Sequence, residues 1–124
     1  MTEHKSAMHE MRLNPQPFEM IKNGSKTIEL RLYDEKRRRI KVGDDIRFTD
    51  IDSGDSFVAA VVGLHRFDSF EELYSELPLL KCGYTPENVS EARSCDMEKY
   101  YSAEEESRYG AVGIELSLTD GPDN

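Results

Sequence analysis

The chain has 124 residues, of which 37% are hydrophobic and 33% are charged, and this suits one domain with a modest core and leaves little room for a second. It contains no run of about eighteen apolar residues and its amino terminus is polar, so we predict no transmembrane span, no secretory signal and a cytoplasmic location. The formal net charge of −9 argues against a protein that coats nucleic acid without specificity.

The first predicted elements are a short strand and a helix. Residues 8–13 alternate weakly between apolar and polar side chains. Asn14-Pro15 then predicts a helix start, because asparagine can cap a helix and proline is tolerated at its first position. Phe18 and Ile21 lie three residues apart on the apolar face of this helix, and Asn23-Gly24 predicts a left-handed ending.

From Lys26 onward the hydrophobic period changes to two, which predicts a half-buried strand. One face carries Ile28, Leu30 and Leu32, whereas the other carries Thr27, Glu29, Arg31 and Tyr33. An acid, a base and an aromatic hydroxyl on the second face suit either solvent or a polar cleft.

The middle of the chain predicts two strands joined by a tight turn. Residues 34–39 form a charged connection, and Val42-Gly43-Asp44 predicts a turn into a strand over 46–49. The sequence 52–55, Asp-Ser-Gly-Asp, predicts a hairpin turn into a longer strand over 57–64, which is rich in β-branched and aromatic residues.

Three helix starts and a final strand follow. Asp68 and Ser69 each precede a glutamate by three residues, the spacing of a capping box, and apolar residues at helical spacing predict an amphipathic helix that ends at Pro78. Thr85-Pro86 and Ser102 predict further short helices over 86–94 and 103–107. Residues 110–118 alternate as a last strand.

Together these elements predict an α+β fold: a small, mostly antiparallel β-barrel of about five to six strands with interspersed short helices. An open α+β sheet is the alternative, and periodicity does not choose between the two. We expect one domain over residues 8–118, with flexible polar tails at 1–7 and 119–124.

The charge is distributed unevenly. The segment from Lys22 to Arg47 holds nine basic and five acidic residues, a local charge of +4, which leaves −13 for the remainder. Such asymmetry can focus a small or well-docked anionic ligand onto one face while the other surfaces repel bulk polyanion. A solvated basic turn balanced by acidic helices is the alternative interpretation.

One segment and three supporting blocks carry a family resemblance. The segment Gly24 to Arg31 reads G-x-K-x-x-E-x-R after a short helix, and the supporting blocks are 40–44 (IKVGD), 67–73 (FDSFEEL) and 109–114 (YGAVGI). In this order and spacing the chain resembles the ASCH domain, named for activating signal cointegrator homology, within the PUA-like superfamily. The resemblance covers Met8 to Leu118 and is to a small, single-domain bacterial-type member.

The resemblance implies a PUA-like barrel with a cleft between the barrel and its helices, lined by the Lys-Glu-Arg segment. The family is generally proposed to bind RNA, but some small members resemble N4-acetylcytidine amidohydrolases, and others have been assigned ribonuclease activity. Family membership therefore leaves binder and enzyme open. In the amidohydrolase relatives, a threonine nucleophile stands three residues after the lysine that corresponds to Lys26. That position is Glu29 here, so their mechanism does not transfer directly.

Lys26, Glu29 and Arg31 are the central candidate residues. Arg31 could clamp a phosphate or carboxylate, and Glu29 could accept a hydrogen bond from an exocyclic amine of a base. Lys26 nominally faces away from Glu29, but strand starts often bend, and in the cleft it would offer a charge to phosphate. If the protein is an enzyme, Lys26 and Glu29 are the predicted acid and base pair.

The remaining candidates are weaker. Tyr33 shares the face of Glu29 and Arg31, and His65 at a strand end could exchange a proton near neutral pH. The predicted phosphate-contacting rim is Arg37, Arg38, Arg39 and Lys41. The other tyrosines, Tyr84, Tyr100, Tyr101 and Tyr109, offer stacking faces but are core residues by default.

We predict no metal and no cofactor. Cys82 and Cys95 have neither Cys-x-x-Cys spacing nor a nearby histidine pair, which predicts reduced thiols, and His4 and His9 are too dispersed for a metal site.

Three functions remain open. The leading one is binding of RNA or a nucleoside or nucleotide ligand, with no DNA specificity and no membrane association. The second is a metal-independent hydrolase of a modified nucleoside, or a ribonuclease. The third is a module that binds a basic protein through its acidic helices, 68–77 and 86–107. The sequence leaves the oligomeric state open.

Overall fold

A computed structural model of the chain describes residues 7–118. Its strands are β1 (Met8–Leu13), β2 (Ile28–Leu32), β3 (Asp45–Asp50), β4 (Ser56–Phe67) and β5 (Ala111–Leu118). Its α-helices are α1 (Pro15–Lys22), α2 (Phe70–Glu76) and α3 (Ala103–Tyr109). Short 3-10 helices cover Arg37–Arg39, Leu79–Lys81, Val89–Glu91 and Ser94–Lys99.

The strands form one mixed sheet in the order β1-β3-β4-β5-β2. The pairing of β1 with β3 is parallel and the other three pairings are antiparallel. The sheet curls into a half-barrel, and at its open side Nη2 of Arg31 on β2 donates to the carbonyl of Arg12 on β1 across 3.2 Å. The predicted α+β, mostly antiparallel fold is confirmed.

Two apolar clusters lie on opposite faces of the curled sheet. In the larger one, Phe48 and Phe57 from the β3–β4 hairpin pack beside each other, and Phe57 also packs against Phe18 of α1. The smaller one joins Ile28, Leu30 and Leu32 of β2 to Phe70 and Leu73 of α2. Fully burying one such side chain contributes about 1.5–3 kcal/mol to the free energy of folding. Apolar packing therefore stabilises both faces of the sheet.

Strand β2 departs from the predicted half-buried strand. Ile28, Leu30 and Leu32 are buried as the alternation predicts, but Glu29 on the other face is only 4% exposed. The second face is enclosed because α1 and the segment 82–101 close over the start of β2. This strand therefore holds a carboxylate in the interior.

Local capping signals match the structure at several positions. The Ser69 hydroxyl accepts from the backbone N–H of Glu72, and Ser102 and Glu105 form a reciprocal capping box. Gly24 adopts a φ of +87°, which completes the left-handed ending of α1. Asn14 stands at the N-cap of α1 without a side-chain capping bond.

The helix predicted over 86–94 is absent, and this prediction is wrong. The segment instead forms 3-10 turns, held where Asn88 Oδ1 accepts from the Thr85 N–H at 2.7 Å. Asp96 Oδ2 likewise accepts from the Arg93 N–H at 3.2 Å. Such local side-chain bonds offer the backbone an alternative to helix, and the segment lacks a continuous apolar stripe that would favour one.

The predicted tails fall, except for Ala7, outside the described residues, and so does His4. Among the helices of residues 7–118, none combines the length and hydropathy needed to cross a bilayer.

Candidate ligand-binding cleft

A cavity of about 570 Å³ opens between α1, the start of β2 and the segment 82–101. Its charged lining residues are Arg12, Lys26, Glu29, Arg31, Asp96 and Lys99. Its aromatic lining residues are Tyr74, Tyr84, Tyr100 and Tyr101. Strands β1 and β2, with Lys26 just before β2, supply four of the six charged residues, and the segment 82–101 supplies three of the four tyrosines.

The floor of the cleft is an ionic triad of Lys26, Glu29 and Arg31. Lys26 Nζ lies 2.8 Å from Glu29 Oε1, and Arg31 Nε donates to Glu29 Oε2 at 2.7 Å. The side chains of Lys26 and Arg31 are 12% and 15% exposed. The structure therefore brings together three of the residues that the sequence singled out.

Lys26 reaches Glu29 because it precedes the strand rather than belonging to it. Strand β2 begins at Ile28, and the Lys26 N–H donates instead to the carbonyl of Met20 at the end of α1. Gly83 makes room for the lysine stem, since a Cβ there would lie 3.3 Å from Lys26 Cδ. Gly83 also has a φ of +111°, which favours glycine.

Glu29 and Arg31 are both charged at neutral pH. Burial alone would raise the pKa of Glu29, but the charges of Lys26 and Arg31 outweigh burial and hold that pKa below its ordinary value. For Arg31, burial opposes the cation, yet Glu29 raises the pKa of the guanidinium above its ordinary value. A carboxylate that stays ionised can accept hydrogen bonds from a ligand but cannot donate a proton to one.

A hydrogen-bonded tyrosine pair forms part of the aromatic wall. The Tyr84 hydroxyl donates to Asp96 Oδ2 at 2.7 Å, so the Tyr74 hydroxyl, also 2.7 Å away, donates to Tyr84. Burial raises the pKa of both tyrosines, and the bond from Tyr84 lowers the pKa of Asp96. This network fixes the segment around Tyr84 against α2.

Sequence reasoning did not assign this wall to the site. Tyr84, Tyr100 and Tyr101 were expected in the core, and Tyr74 occupied the apolar face of the predicted α2 helix. Tyr100 is instead 58% exposed at the cleft. The tyrosine enrichment after residue 73 was the available signal, but it does not reveal where the 82–101 segment lies.

Cys82 also lines the cleft but is a poor nucleophile. Its Sγ contacts the Pro78 carbonyl at 3.5 Å, and burial raises the pKa of the thiol to about 11. A thiol protonated at neutral pH does not attack a carbonyl or phosphate readily.

The structure does not bring the other predicted residues into the cleft. Arg37 pairs with Asp34, with 3.4 Å between Nη1 and Oδ2, and Arg39 and Lys41 are exposed away from the cleft lining. Tyr33 and Arg38 line a separate groove. His65 lies on the outer surface of the sheet, where its Nε2 is 3.0 Å from Glu115 Oε1.

Residues 7–118 contain no cluster of three or more His, Cys, Asp or Glu side chains that could hold a metal ion.

Comparison with known proteins decides the family. The ASCH domain model matches residues 11–120. The chain belongs to the ASCH domain family. Among curated proteins, none matches this ASCH domain.

Solved structures similar to this chain cover most of its length. The crystal structure of hypothetical protein PH0355 is 35% identical, with a TM-score of 0.73 and coverage of 90% of this ASCH domain chain and 99% of the other. The solution NMR structure of protein PF0455 from Pyrococcus furiosus is 33% identical, with a TM-score of 0.70. The match covers 92% of this chain and 99% of PF0455. The crystal structure of ASCH from Zymomonas mobilis is 16% identical, with a TM-score of 0.59, and shares the fold. The match covers 89% of this chain and 66% of the Zymomonas chain.

Proposed function

We propose that this ASCH domain binds RNA by holding one nucleotide in the cleft. The observation that carries the proposal is the buried Glu29 carboxylate, fixed between Lys26 and Arg31 on the floor of a tyrosine-walled cavity. The volume of about 570 Å³ is within the range of small-molecule sites. RNA is read mainly through unstacked bases that rest on aromatic or guanidinium planes, and the cleft provides both.

The ionic triad retains hydrogen-bonding capacity for a base. Lys26 Nζ lies 2.8 Å from Glu29 Oε1, and this contact uses at most one of the two lone pairs of that carboxylate oxygen. A carboxylate oxygen accepts well from an exocyclic amine such as that of cytosine. Glu29 is therefore the proposed base-recognition group, and Lys26 and Arg31 keep it ionised and oriented.

The charge of the cleft favours an anionic ligand. Four basic residues (Arg12, Lys26, Arg31 and Lys99) outnumber two acidic ones, Glu29 and Asp96, although the whole chain carries −9. A positive cleft in an acidic protein concentrates its ligand locally and repels polyanions elsewhere. This supports a short or well-docked RNA segment over long duplexes.

A hydrolase of a modified nucleoside is the second candidate. The contact between Lys26 and Glu29 favours it, because a lysine beside a carboxylate can take part in proton transfer. Against it, the position of the threonine nucleophile is occupied by Glu29, and the Cys82 thiol is protonated. Binding without turnover is accordingly the primary proposal.

The test is an amide-resolved NMR titration of the labelled full chain with nucleoside monophosphates and short single-stranded RNAs. We expect saturable shifts around Lys26 to Arg31 and in the 82–101 segment. Tyr100→Ala should weaken binding by about 1–3 kcal/mol through lost stacking, whereas Tyr100→Phe keeps the ring and should bind like the wild type. Shifts that avoid the cleft, or a Tyr100→Ala variant with unchanged affinity, would overturn the proposal.

The same titration distinguishes binder from hydrolase. Ligand signals recorded over time should remain those of the added nucleotide. New product signals with an N4-acylated nucleoside, lost in Lys26→Met, would move the assignment to hydrolase.

A further inference from the structure

A second depression, here called the arginine groove, lies just beyond the carboxyl end of β2. It has a volume of about 530 Å³. Its basic lining residues are Arg38, Arg66 and Arg108, its acidic ones are Asp68 and Glu72, and its aromatic ones are Tyr33, Phe67 and Tyr109. None of these residues lines the cleft.

Tyr33 and backbone carbonyls hold two of the three arginines. The Arg38 guanidinium lies 4.6 Å from the centre of the Tyr33 ring, and its Nε donates to the Tyr33 carbonyl at 2.9 Å. Arg66 lies 5.6 Å from the centre of the same ring and donates from Nη1 to the Tyr33 hydroxyl at 3.3 Å. The two cations therefore flank one aromatic side chain.

Arg108 is held in a similar way, with its guanidinium 5.4 Å from the centre of the Tyr109 ring. Within residues 7–118, no carboxylate forms an ion pair with any of the three groove arginines, whereas Arg31, Arg37 and Arg47 are each paired with an acid. Ring faces and carbonyls orient a guanidinium without neutralising it. The groove thus presents cations whose charge is available to a ligand.

The acidic residues of the groove reduce this charge without cancelling it. Glu72 Oε1 accepts from the backbone N–H of Asp68 at 3.0 Å, which ties that carboxylate to the start of α2. Asp68 is exposed at the groove edge. Three arginines against two acids leave a net positive groove, in which arginine's planar fork suits the paired oxygens of a phosphodiester.

The groove and the cleft are adjacent along three parts of the chain. Arg31 on β2 lines the cleft, and Tyr33, the residue that follows β2, lines the groove, a separation of roughly 7 Å along an extended chain. Helix α2 likewise contributes Tyr74 to the cleft and Glu72 to the groove. The stretch 101–109 also reaches from one to the other.

We propose that the arginine groove binds the phosphodiester backbone of single-stranded RNA next to the nucleotide held in the cleft. This inference rests on the proposed function and deepens it: the ligand is an oligonucleotide rather than a free nucleotide. The cleft contacts one base, and the groove contacts phosphates of the adjoining nucleotides without reading their sequence.

The test compares affinities for a nucleoside monophosphate and for single-stranded RNAs of about two to about six nucleotides. The variants are Arg66→Gln and Arg108→Gln, both at exposed positions, and the control is Arg47→Gln, an exposed arginine outside both sites. We expect wild-type affinity to rise with length. Each groove variant should lose roughly fivefold to tenfold for the longer RNAs and keep its affinity for the monophosphate.

Salt dependence provides a second readout. The slope of log affinity against log salt concentration should fall by about 0.7 for each arginine removed from a single-strand contact, and should not change in Arg47→Gln. Circular dichroism confirms that the variants are folded.

The outcomes separate the two proposals. If the monophosphate binds but RNA affinity is independent of length, or if the groove variants match Arg47→Gln, the groove inference is wrong and the cleft proposal stands. If neither ligand binds, both fail. If a polyglutamate peptide binds the groove with the same affinity as RNA and displaces it, the groove binds protein carboxylates. The RNA inference is then overturned.

Discussion

The buried triad makes a quantitative prediction for Glu29→Gln. Glu29 is 4% exposed and contacts two cations, so removing its charge leaves Lys26 and Arg31, whose side chains are only 12% and 15% exposed, without their counter-charge. Breaking a buried ion pair by removing one partner costs about 3–5 kcal/mol. Since small domains are stable by about 5–15 kcal/mol, the variant should still fold, with a thermal midpoint roughly 10–20 °C lower.

Urea denaturation followed by circular dichroism measures this loss, and Glu115→Gln is the matched control. Glu115 also pairs with a side chain, with 3.0 Å between its Oε1 and His65 Nε2, but it is 45% exposed. Exposed pairs contribute about 0–1 kcal/mol, so the control should unfold almost like the wild type. Equal midpoints for Glu29→Gln and Glu115→Gln would refute the reasoning.

A triple replacement separates stability from function. Changing Lys26, Glu29 and Arg31 together to methionine removes all three charges at similar volume, which is often neutral or stabilising for buried ion networks. We expect the triple variant to regain at least about 2 kcal/mol relative to Glu29→Gln and to lose the proposed nucleotide binding. If it is less stable than Glu29→Gln, the triad is required by the fold rather than retained for a ligand.

The same carboxylate predicts a pH dependence. Because the pKa of Glu29 in the folded chain lies below its ordinary value of 4.5, the unfolded chain binds the proton more readily. The stabilisation from the ionised Glu29 carboxylate is fully present above about pH 4.5. It is lost as the pH falls through the lower pKa that Glu29 has in the folded chain. The difference in unfolding free energy between wild type and Glu29→Gln should therefore narrow below about pH 4.5. If this difference in unfolding free energy stays constant from neutral to strongly acidic pH, the pKa of Glu29 is not lowered in the folded chain.

Three further predictions concern local features. Iodoacetamide at neutral pH should label exposed Cys95 and spare buried Cys82, with both labelled in denaturant; native labelling of both thiols by mass spectrometry would contradict the burial. Ser102→Ala removes the N-terminal cap of α3 and should cost about 1 kcal/mol in urea denaturation, and an unchanged midpoint would mean that the cap is unimportant. Gly110→Ala places a Cβ 2.7 Å from a backbone carbonyl at a φ of +78° and should cost about 2 kcal/mol or more; wild-type stability would show that this turn adapts.

The strands and most helix boundaries follow from local patterns. Period-two runs located β2 and β5, the hairpin turn located β3 and β4, and serine-to-glutamate spacing located the starts of α2 and α3. These signals are readable because each depends on residues that are neighbours along the chain. The G-x-K-x-x-E-x-R segment likewise pointed to the residues that form the triad.

Other features depend on contacts between distant residues. The parallel pairing of β1 with β3 and the enclosure of Glu29 arise only when the curled sheet meets α1 and the 82–101 segment. Four of the five residues at 37–41 are basic, but Arg37 pairs with Asp34 and Arg38 packs on the ring of Tyr33. Charge along the chain therefore did not reveal which cations face the cleft.

The position of β2 in the sheet has a consequence for biosynthesis. The Glu29 strand is made before its hydrogen-bonding neighbour β5, because residues 111–118 follow it by about eighty residues. Pairings that are distant in sequence form slowly because the loop between them must first be closed. While the chain is being translated, the β3–β4 hairpin can form, but β2, which carries Glu29 and Arg31, cannot yet pair with β5. Binding competence should therefore arise as the last cooperative step of folding, and a nascent chain arrested before residue 111 should carry a hairpin but no cleft.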